Sequence, residues 1–461
     1  MPAGPPGASG PTLARLAAMM FLQYWSLGVW FVTYTSFVAA NTGDQGEAIF
    51  SDGFAGYSGT ATAMGSLLAP AIFGWLADRR IAPKFLLSIL HGVCSVAVIL
   101  MHEARDEWVF YAGLLLYFQA FGPTVSLTNT VVLRMSSNTD RDFPVLRLFG
   151  TTAWMMAGVF VGEIARRWWG ESIEATRIPI AISGVSHLGM ALYCLTLPRA
   201  KSPARVATGA DHKRALDVLR NRPFIAFLAI SMLAAIGSQA YNFANPFMNQ
   251  QGYVGAAAVL TLGQLSELVC LASMPWLQRR VGLKALFLFG IGAWAARYTL
   301  LVIGSLGEPG SPATAAVIAA ILCHGPAYGF MYVAGQLYVD KLVHPHNRGA
   351  GQGLHALAMN GLGHLLGAGL VGWAQSRFLT PSGVTPPPYD WVRFWLTPIG
   401  LFLVVGVLFL ARFARQRPRR KAARHSVDGS SGEANLDGDA PEGPSPDADP
   451  QARRSADATQ H

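Results

Sequence analysis

The chain has 461 residues, 52% of them apolar and only 13% charged, with a mean hydropathy of +0.33. A soluble protein carries roughly a quarter charged residues, so this composition excludes an ordinary cytosolic enzyme. The net charge of +9 comes from short basic clusters between apolar runs. No basic face with interleaved aromatics is present, which excludes nucleic-acid recognition and makes the charge a sign of membrane topology.

From the N-terminus, Met1 to Pro11 is uncharged and rich in proline and glycine, so no cleavable signal peptide is expected. A membrane-crossing helix needs about 20 apolar residues. The first half is expected to supply spans at 17–39, 55–77, 85–102, 108–133, 147–166 and 177–197. The second supplies 223–247, 255–277, 284–304, 313–338, 351–376 and 391–413. Pro123, Pro246 and Pro326 interrupt three of them, a break that helical bundles tolerate where neighbours or water satisfy the freed carbonyls. Cys94, Cys194, Cys270 and Cys323 lie in apolar stretches without CxxC or metal-ligand spacing. They read as small core residues.

The expected fold class is an all-α polytopic membrane protein of twelve transmembrane helices in two six-helix pseudo-repeats. A polar segment, 198–222, divides an N-terminal bundle (17–197) from a C-terminal bundle (223–413). Residues 1–16 form a short N-terminus, and 414–461 a basic and then Ser/Gly/Asp/Pro-rich tail too polar to bury a core. Trp75-Leu76-Ala77-Asp78-Arg79 and Trp276-Leu277-Gln278-Arg279-Arg280 recur after the second span of each half, followed by Lys84 and Lys284. Such paired halves are how major-facilitator transporters are built. Basic residues crowd the loops after the even-numbered spans, while Asp44, Glu47 and Asp52 follow the first span without Lys or Arg. The positive-inside rule therefore puts both termini in the cytoplasm of a multi-pass inner-membrane protein. Arg166, Arg167 and Arg177, after the fifth span, run against that pattern.

Polar side chains deep in apolar spans are functional candidates by default. Arg147, Thr151 and Trp154 recur at i, i+4 and i+7; Gln239 and Asn242 at i, i+3; Gln264 and Glu267 at i, i+3; His324 and Tyr328 at i, i+4. Each set occupies one face of its own helix. Four such faces are expected to line one cavity suited to a flat, polar, uncharged ligand that stacks and hydrogen-bonds. Weighed against this, amides and threonines also bridge neighbouring helices, Arg147 sits near a helix end where it can snorkel, and His324 can be a satisfied core histidine. Glu267 is harder to dismiss, and Arg297 is its expected partner, an inert ion pair being the alternative for both. Asp78, Arg79 and Arg80 read as a loop clasp that governs gating without touching ligand.

No P-loop, HExxH or GxSxG is present, so neither ATP-driven pumping nor hydrolysis is expected, and no cofactor or metal. The alternatives kept open are a transporter for another hydroxylated solute such as a sugar, a uniporter, and a membrane-embedded enzyme or sensor.

The motifs resemble the nucleoside:proton symporter family of the major facilitator superfamily from about Phe21 to Phe409. They include Phe21-Leu22-Gln23, Gly74-Trp75-Leu76-Ala77-Asp78, Pro123-Thr124 with Asn129-Thr130, and Asp142-Phe143-Pro144. Arg147-Leu148-Phe149-Gly150-Thr151, the Gln264/Glu267 pair, Ala293-Trp294 with Arg297, Gln352-Gly353 and Asn360-Gly361 extend the match. The resemblance implies proton-driven nucleoside uptake by alternating access. It suggests Arg147, Thr151, Gln239, Asn242, Gln264, Glu267 and Tyr328 as nucleoside contacts. The implied partners are a nucleoside, a proton and the lipid bilayer, without nucleic acid, and the chain is expected to act as a monomer. The chain departs from the family pattern at Trp154, where phenylalanine is usual, at His324, where an aromatic is usual, and at Gly329, where an acidic residue is usual. Glu267 is then the clearest buried acid, with His324 as a second titrating group.

Overall fold

The computed structural model describes residues 10–67, 82–136, 139–198, 218–344, 347–379 and 390–414. The expected gating residues Asp78, Arg79 and Arg80, most of the central polar segment and nearly all of the tail lie outside the described residues.

Ten described helices are long and apolar enough to cross a membrane. Numbered by span, α1 is Thr12–Ala40, α3 Pro83–Glu103, α4 Glu107–Leu133, α5 Val145–Trp169 and α6 Ile178–Thr196. The second half contributes α7 Arg222–Gln250, α10 Ala313–Leu342, α11 Arg348–Phe378 and α12 Trp391–Phe413. Ala256–Gly304 is continuous over 49 residues, which at 1.5 Å per residue is about twice the depth of a bilayer core. It breaks at Gly282, whose φ of 80° and ψ of 163° belong to neither helix nor strand and are open to glycine alone. The segment is therefore two spans, α8 (256–281) and α9 (283–304), as the sequence places them. The described part of α2 is Gly59–Leu67.

Local chemistry sets several helix starts. Asp106 accepts hydrogen bonds from the Trp108 and Val109 amides at the head of α4, Asn221 from Phe224 N at α7, and Asp390 from Arg393 N at α12. These side chains satisfy amides that a helix start leaves without an internal partner. Pro follows at the first turns of α3, α6 and α7, where its missing N–H costs nothing.

In the first half, α1 packs on α5 and α6, and α3 on α4 and α6. A buried polar chain ties them: Gln23 Nε2 donates to Thr124 Oγ1 at 2.7 Å, Gln23 Oε1 meets His91 Nε2 at 2.8 Å, His91 meets His187 at 2.9 Å, and His187 meets the Tyr117 hydroxyl at 3.0 Å. In hydrocarbon such bonds act as glue between helices.

The halves meet through glycines. A β-carbon at Gly162 on α5 would lie 2.5 Å from Ala258 N on α8, and one at Gly56, just before α2, 2.3 Å from Gly372 N on α11. Only a bare backbone permits such approach, the small-residue packing typical of membrane interfaces.

Candidate functional site: a cavity at the seam

Between the halves lies a cavity of about 420 Å³, within the size range of small-molecule sites. Of the nine residues expected at a binding site, Trp154, Gln239, Asn242, Gln264, Glu267, His324 and Tyr328 line it. Three of the expected faces thus converge whole and the α5 face through its tryptophan. Arg147 and Thr151 are not among the lining residues. They stand on the Trp154 face of α5 but earlier on the helix, Arg147 about 10 Å from Trp154 along the axis, and Arg147 is exposed.

Two local irregularities shape the lining. Gln239–Phe243 tightens to a 3₁₀ turn within α7, so Gln239 and Asn242 eclipse, and Asn242 Nδ2 donates to Gln239 Oε1 at 3.3 Å. Gly325–Val333 widens to a π-helix within α10, a distortion common at functional sites. There His324, Tyr328 and Tyr332 form a ladder of stacked rings, His324–Tyr328 at 5.4 Å and Tyr328–Tyr332 at 4.3 Å between centroids. The Tyr332 hydroxyl reaches Ser238 Oγ at 3.2 Å and His364 Nε2 at 3.5 Å. Across the cavity Trp154 packs on Phe31.

The expected direct pair between Glu267 and Arg297 does not form. His324 stands between them: Arg297 Nη2 lies 3.1 Å from His324 Nδ1, and His324 Nε2 lies 3.5 Å from Glu267 Oε2 and 3.3 Å from Gln264 Nε2. Arg297 is fully buried, its guanidinium carbon 3.3 Å from the Tyr241 ring centroid and 5.1 Å from that of Trp294. Cation–π attraction to two rings offsets part of the cost of burying the charge.

One end of the cavity is closed by a polar clasp across the halves. Glu174, from the loop between α5 and α6, is 1% exposed. Its carboxylate accepts from Asn245 Nδ2 at 2.7 Å, Asn249 Nδ2 at 3.2 Å and Ala257 N at 3.2 Å, all in the second half. On the first-half side Ser36 bonds Asn245 and Asn249, and Thr35 Oγ1 donates to Asn242 O at 3.1 Å. Asn242, whose carbonyl joins this clasp, and Tyr328 remain exposed.

Sequence reasoning missed Glu174, Asn245, Tyr241, Tyr332 and His364. Tyr332 was open to it, since it continues the i, i+4 spacing of His324 and Tyr328. Asn245 continues the i, i+3 spacing of Gln239 and Asn242. Glu174 lies in a short loop, where a carboxylate carries no signal of burial.

Outside the membrane-crossing helices, the Arg177 guanidinium binds Glu47 through both oxygens, Nε–Oε1 at 2.9 Å and Nη2–Oε2 at 2.8 Å. That hydrogen-bonded cation holds the Glu47 carboxyl below its usual range. Arg177 also donates to the His102 and Ala104 carbonyls, while Arg166 and Arg167 both pair with Glu163. The three basic residues that run against the charge pattern are thus each matched to a carboxylate.

Two bundles of apolar helices enclosing a polar cavity at their seam define a multi-pass membrane transporter of the major-facilitator type, not an enzyme. A family model described as nucleoside H+ symporter matches residues 11–418, and the chain belongs to that family. It is 30% identical over 413 residues to YegT of Escherichia coli K12, covering 87% of this chain and 94% of that protein. It is 25% identical over 435 residues to the nucleoside permease NupG of the same organism, covering 90% and 98%. The crystal structure of the nucleoside transporter NupG superposes with a TM-score of 0.77 at 23% identity, covering 88% of this chain and 100% of that one. A crystal structure of the peptide transporter POT reaches 0.66 at 14% identity, covering 86% and 93%. The shared fold alone does not choose the solute.

Proposed function

We propose that this protein imports nucleosides across the cytoplasmic (inner) membrane together with protons, by alternating access of the 17–197 and 223–413 halves. The observation that carries this reading is the gathering of amides, stacked rings and one carboxylate, Glu267, around a single cavity closed at one end. Both termini are cytoplasmic, so the end closed by Glu174 faces outward. The nucleobase stacks on Trp154 or Tyr328, and Gln239, Asn242 and Gln264 bond its polar edges and the ribose hydroxyls. Arg147 and Thr151 act nearer the open mouth, and Asp78, Arg79 and Arg80 in gating. The protein works as a monomer in the bilayer, without nucleic acid.

Glu267 and His324 form the coupling pair, Glu267 accepting a proton outside and releasing it inside and His324 standing beside it, its Nε2 3.5 Å from the Glu267 carboxylate. One proton moving down about 100 mV supplies roughly 2.3 kcal/mol, and a unit of pH gradient about 1.4 kcal/mol. Together they sustain accumulation of several hundred-fold. The test is uptake of a labelled nucleoside panel into proteoliposomes with and without an imposed pH gradient, with sugars as competitors. Glu267→Gln is expected to abolish accumulation while counterflow exchange persists. Unchanged accumulation in that variant removes Glu267 from coupling, and entry that ignores the gradient makes the protein a uniporter.

A further inference from the structure

Arg297 has no place in the nucleoside contacts, yet it is a fully buried cation whose Nε and Nη1 find no hydrogen-bond partner among the described residues. Burying a charge with part of its hydrogen-bonding capacity unmet is costly, and intramembrane charges are retained where they act. Its one side-chain hydrogen bond runs to His324 Nδ1, and the next group along that chain is the Glu267 carboxylate.

The donor and acceptor inventory fixes where the hydrogen atoms lie. A guanidinium only donates and keeps its charge, so His324 Nδ1 must accept through its lone pair. A neutral imidazole that accepts at Nδ1 carries its hydrogen on Nε2, the nitrogen 3.5 Å from Glu267 Oε2. Gln264, at 3.3 Å from the same nitrogen, then presents its amide oxygen, which a half-turn of the terminal torsion exchanges with the nitrogen. A second proton on His324 would have to enter at Nδ1, directly against a cation. Around this chain stand Tyr241 from α7, Cys270 from α8, Tyr298 from α9, Cys323 and Tyr328 from α10, and Arg147 from α5. None supplies a second carboxylate.

We propose that Arg297 is a positioning residue that holds His324 as the neutral Nε2–H tautomer, so that Glu267 alone takes up the transported proton and His324 only orients it. The role in coupling rests on the proton-driven reading above; the tautomer does not.

Three variants and one spectroscopic readout test it. In His324→Gln the amide supplies an acceptor for Arg297 and a donor for Glu267, so the pH profile of accumulation is expected to keep the parent's shape, because no titrating group is lost, while nucleoside affinity and absolute rate are free to change. In Arg297→Gln the freed Nδ1 takes a proton and the imidazolium holds Glu267 ionised. Accumulation then falls about tenfold or more and its pH profile gains a second step that the parent protein lacks. Adding His324→Gln to Arg297→Gln removes the imidazolium and restores accumulation, a rescue that a merely structural role for Arg297 does not allow. Ring-nitrogen chemical shifts of ¹⁵N-histidine, assigned to His324 by difference from His324→Gln, are expected to report the neutral Nε2–H form in the parent protein throughout the pH range in which it accumulates nucleoside. Loss of accumulation in His324→Gln with exchange intact, a double variant as impaired as Arg297→Gln, or an imidazolium in the parent protein overturns the proposal. If uptake ignores the proton gradient while the shifts show Nε2–H, the coupling reading fails and the positioning by Arg297 stands.

Discussion

Removing the Glu174 carboxylate tests what holds the cavity closed at the Glu174 end. Three donors from the second half converge on it, the Asn245 and Asn249 amides and the Ala257 N–H, at 2.7 to 3.2 Å. Each hydrogen bond to a charged group contributes about 1.5–3 kcal/mol net, a gross total of roughly 5–9 kcal/mol. When this end opens the carboxylate and both amides regain water, so a difference of about 3 kcal/mol between closed and open forms is the reasonable expectation. Glu174→Ala should therefore shift the population toward the form open at this end on the order of 100-fold. Spin labels at Asp44, in the loop after α1, and Val254, in the loop before α8, lie on opposite halves and are exposed. Double electron–electron resonance between them, in a background lacking the four native cysteines, is expected to show a longer distance in Glu174→Ala. Glu174→Gln should lie between that variant and the parent, since one amide oxygen still accepts while the amide nitrogen opposes the clasp donors. Distance distributions unchanged in both variants, with thermal stability retained, would refute the clasp.

Trp154→Ala should raise the nucleoside dissociation constant about 5- to 100-fold, the range of one lost base–aromatic stack, and Trp154→Phe should raise it little; equilibrium binding checks both. Gly162→Ala puts a β-carbon 2.5 Å from Ala258 N, and overpacking of this kind costs about 1–3 kcal/mol. It should open the Glu174 end in the same resonance experiment while the halves stay folded. Glu47, whose folded pKa is lowered by Arg177, contributes stability that is complete above the unfolded value of about 4.3. That contribution is lost as pH falls through the lower folded value. Glu47→Gln should thus melt below the parent protein at pH 6 and converge with it once pH has fallen through the lowered folded value; a gap that persists in stronger acid would count against the ion pair.

How much was legible in the sequence follows from the range of each interaction. The spans came from windows of about 20 residues, and the break between α8 and α9 fell between two of them because Gly282 and its basic neighbours interrupt the apolar run. The polar faces were equally local: Gln239 with Asn242, Gln264 with Glu267, and His324 with Tyr328 share a face because three or four residues make one helical turn. Arg166 and Arg167 had their partner Glu163 within one helical turn, but the opposition of Arg177 to the charge pattern needed Glu47, 130 residues away, and stayed unexplained until the loops were placed.

Sequence alone determined that this chain crosses the membrane many times, in two related halves, with four polar faces hidden among apolar turns. Tertiary structure decided which faces meet. Glycines of α5 and the α2 region let backbone lie on backbone in α8 and α11, bringing Trp154 opposite the amides and rings of α7, α8 and α10. It also set His324 between Arg297 and Glu267, and buried Glu174 under the second half. Contacts between helices far apart in the sequence depend on how whole surfaces fit, and no periodicity along a single helix encodes that fit.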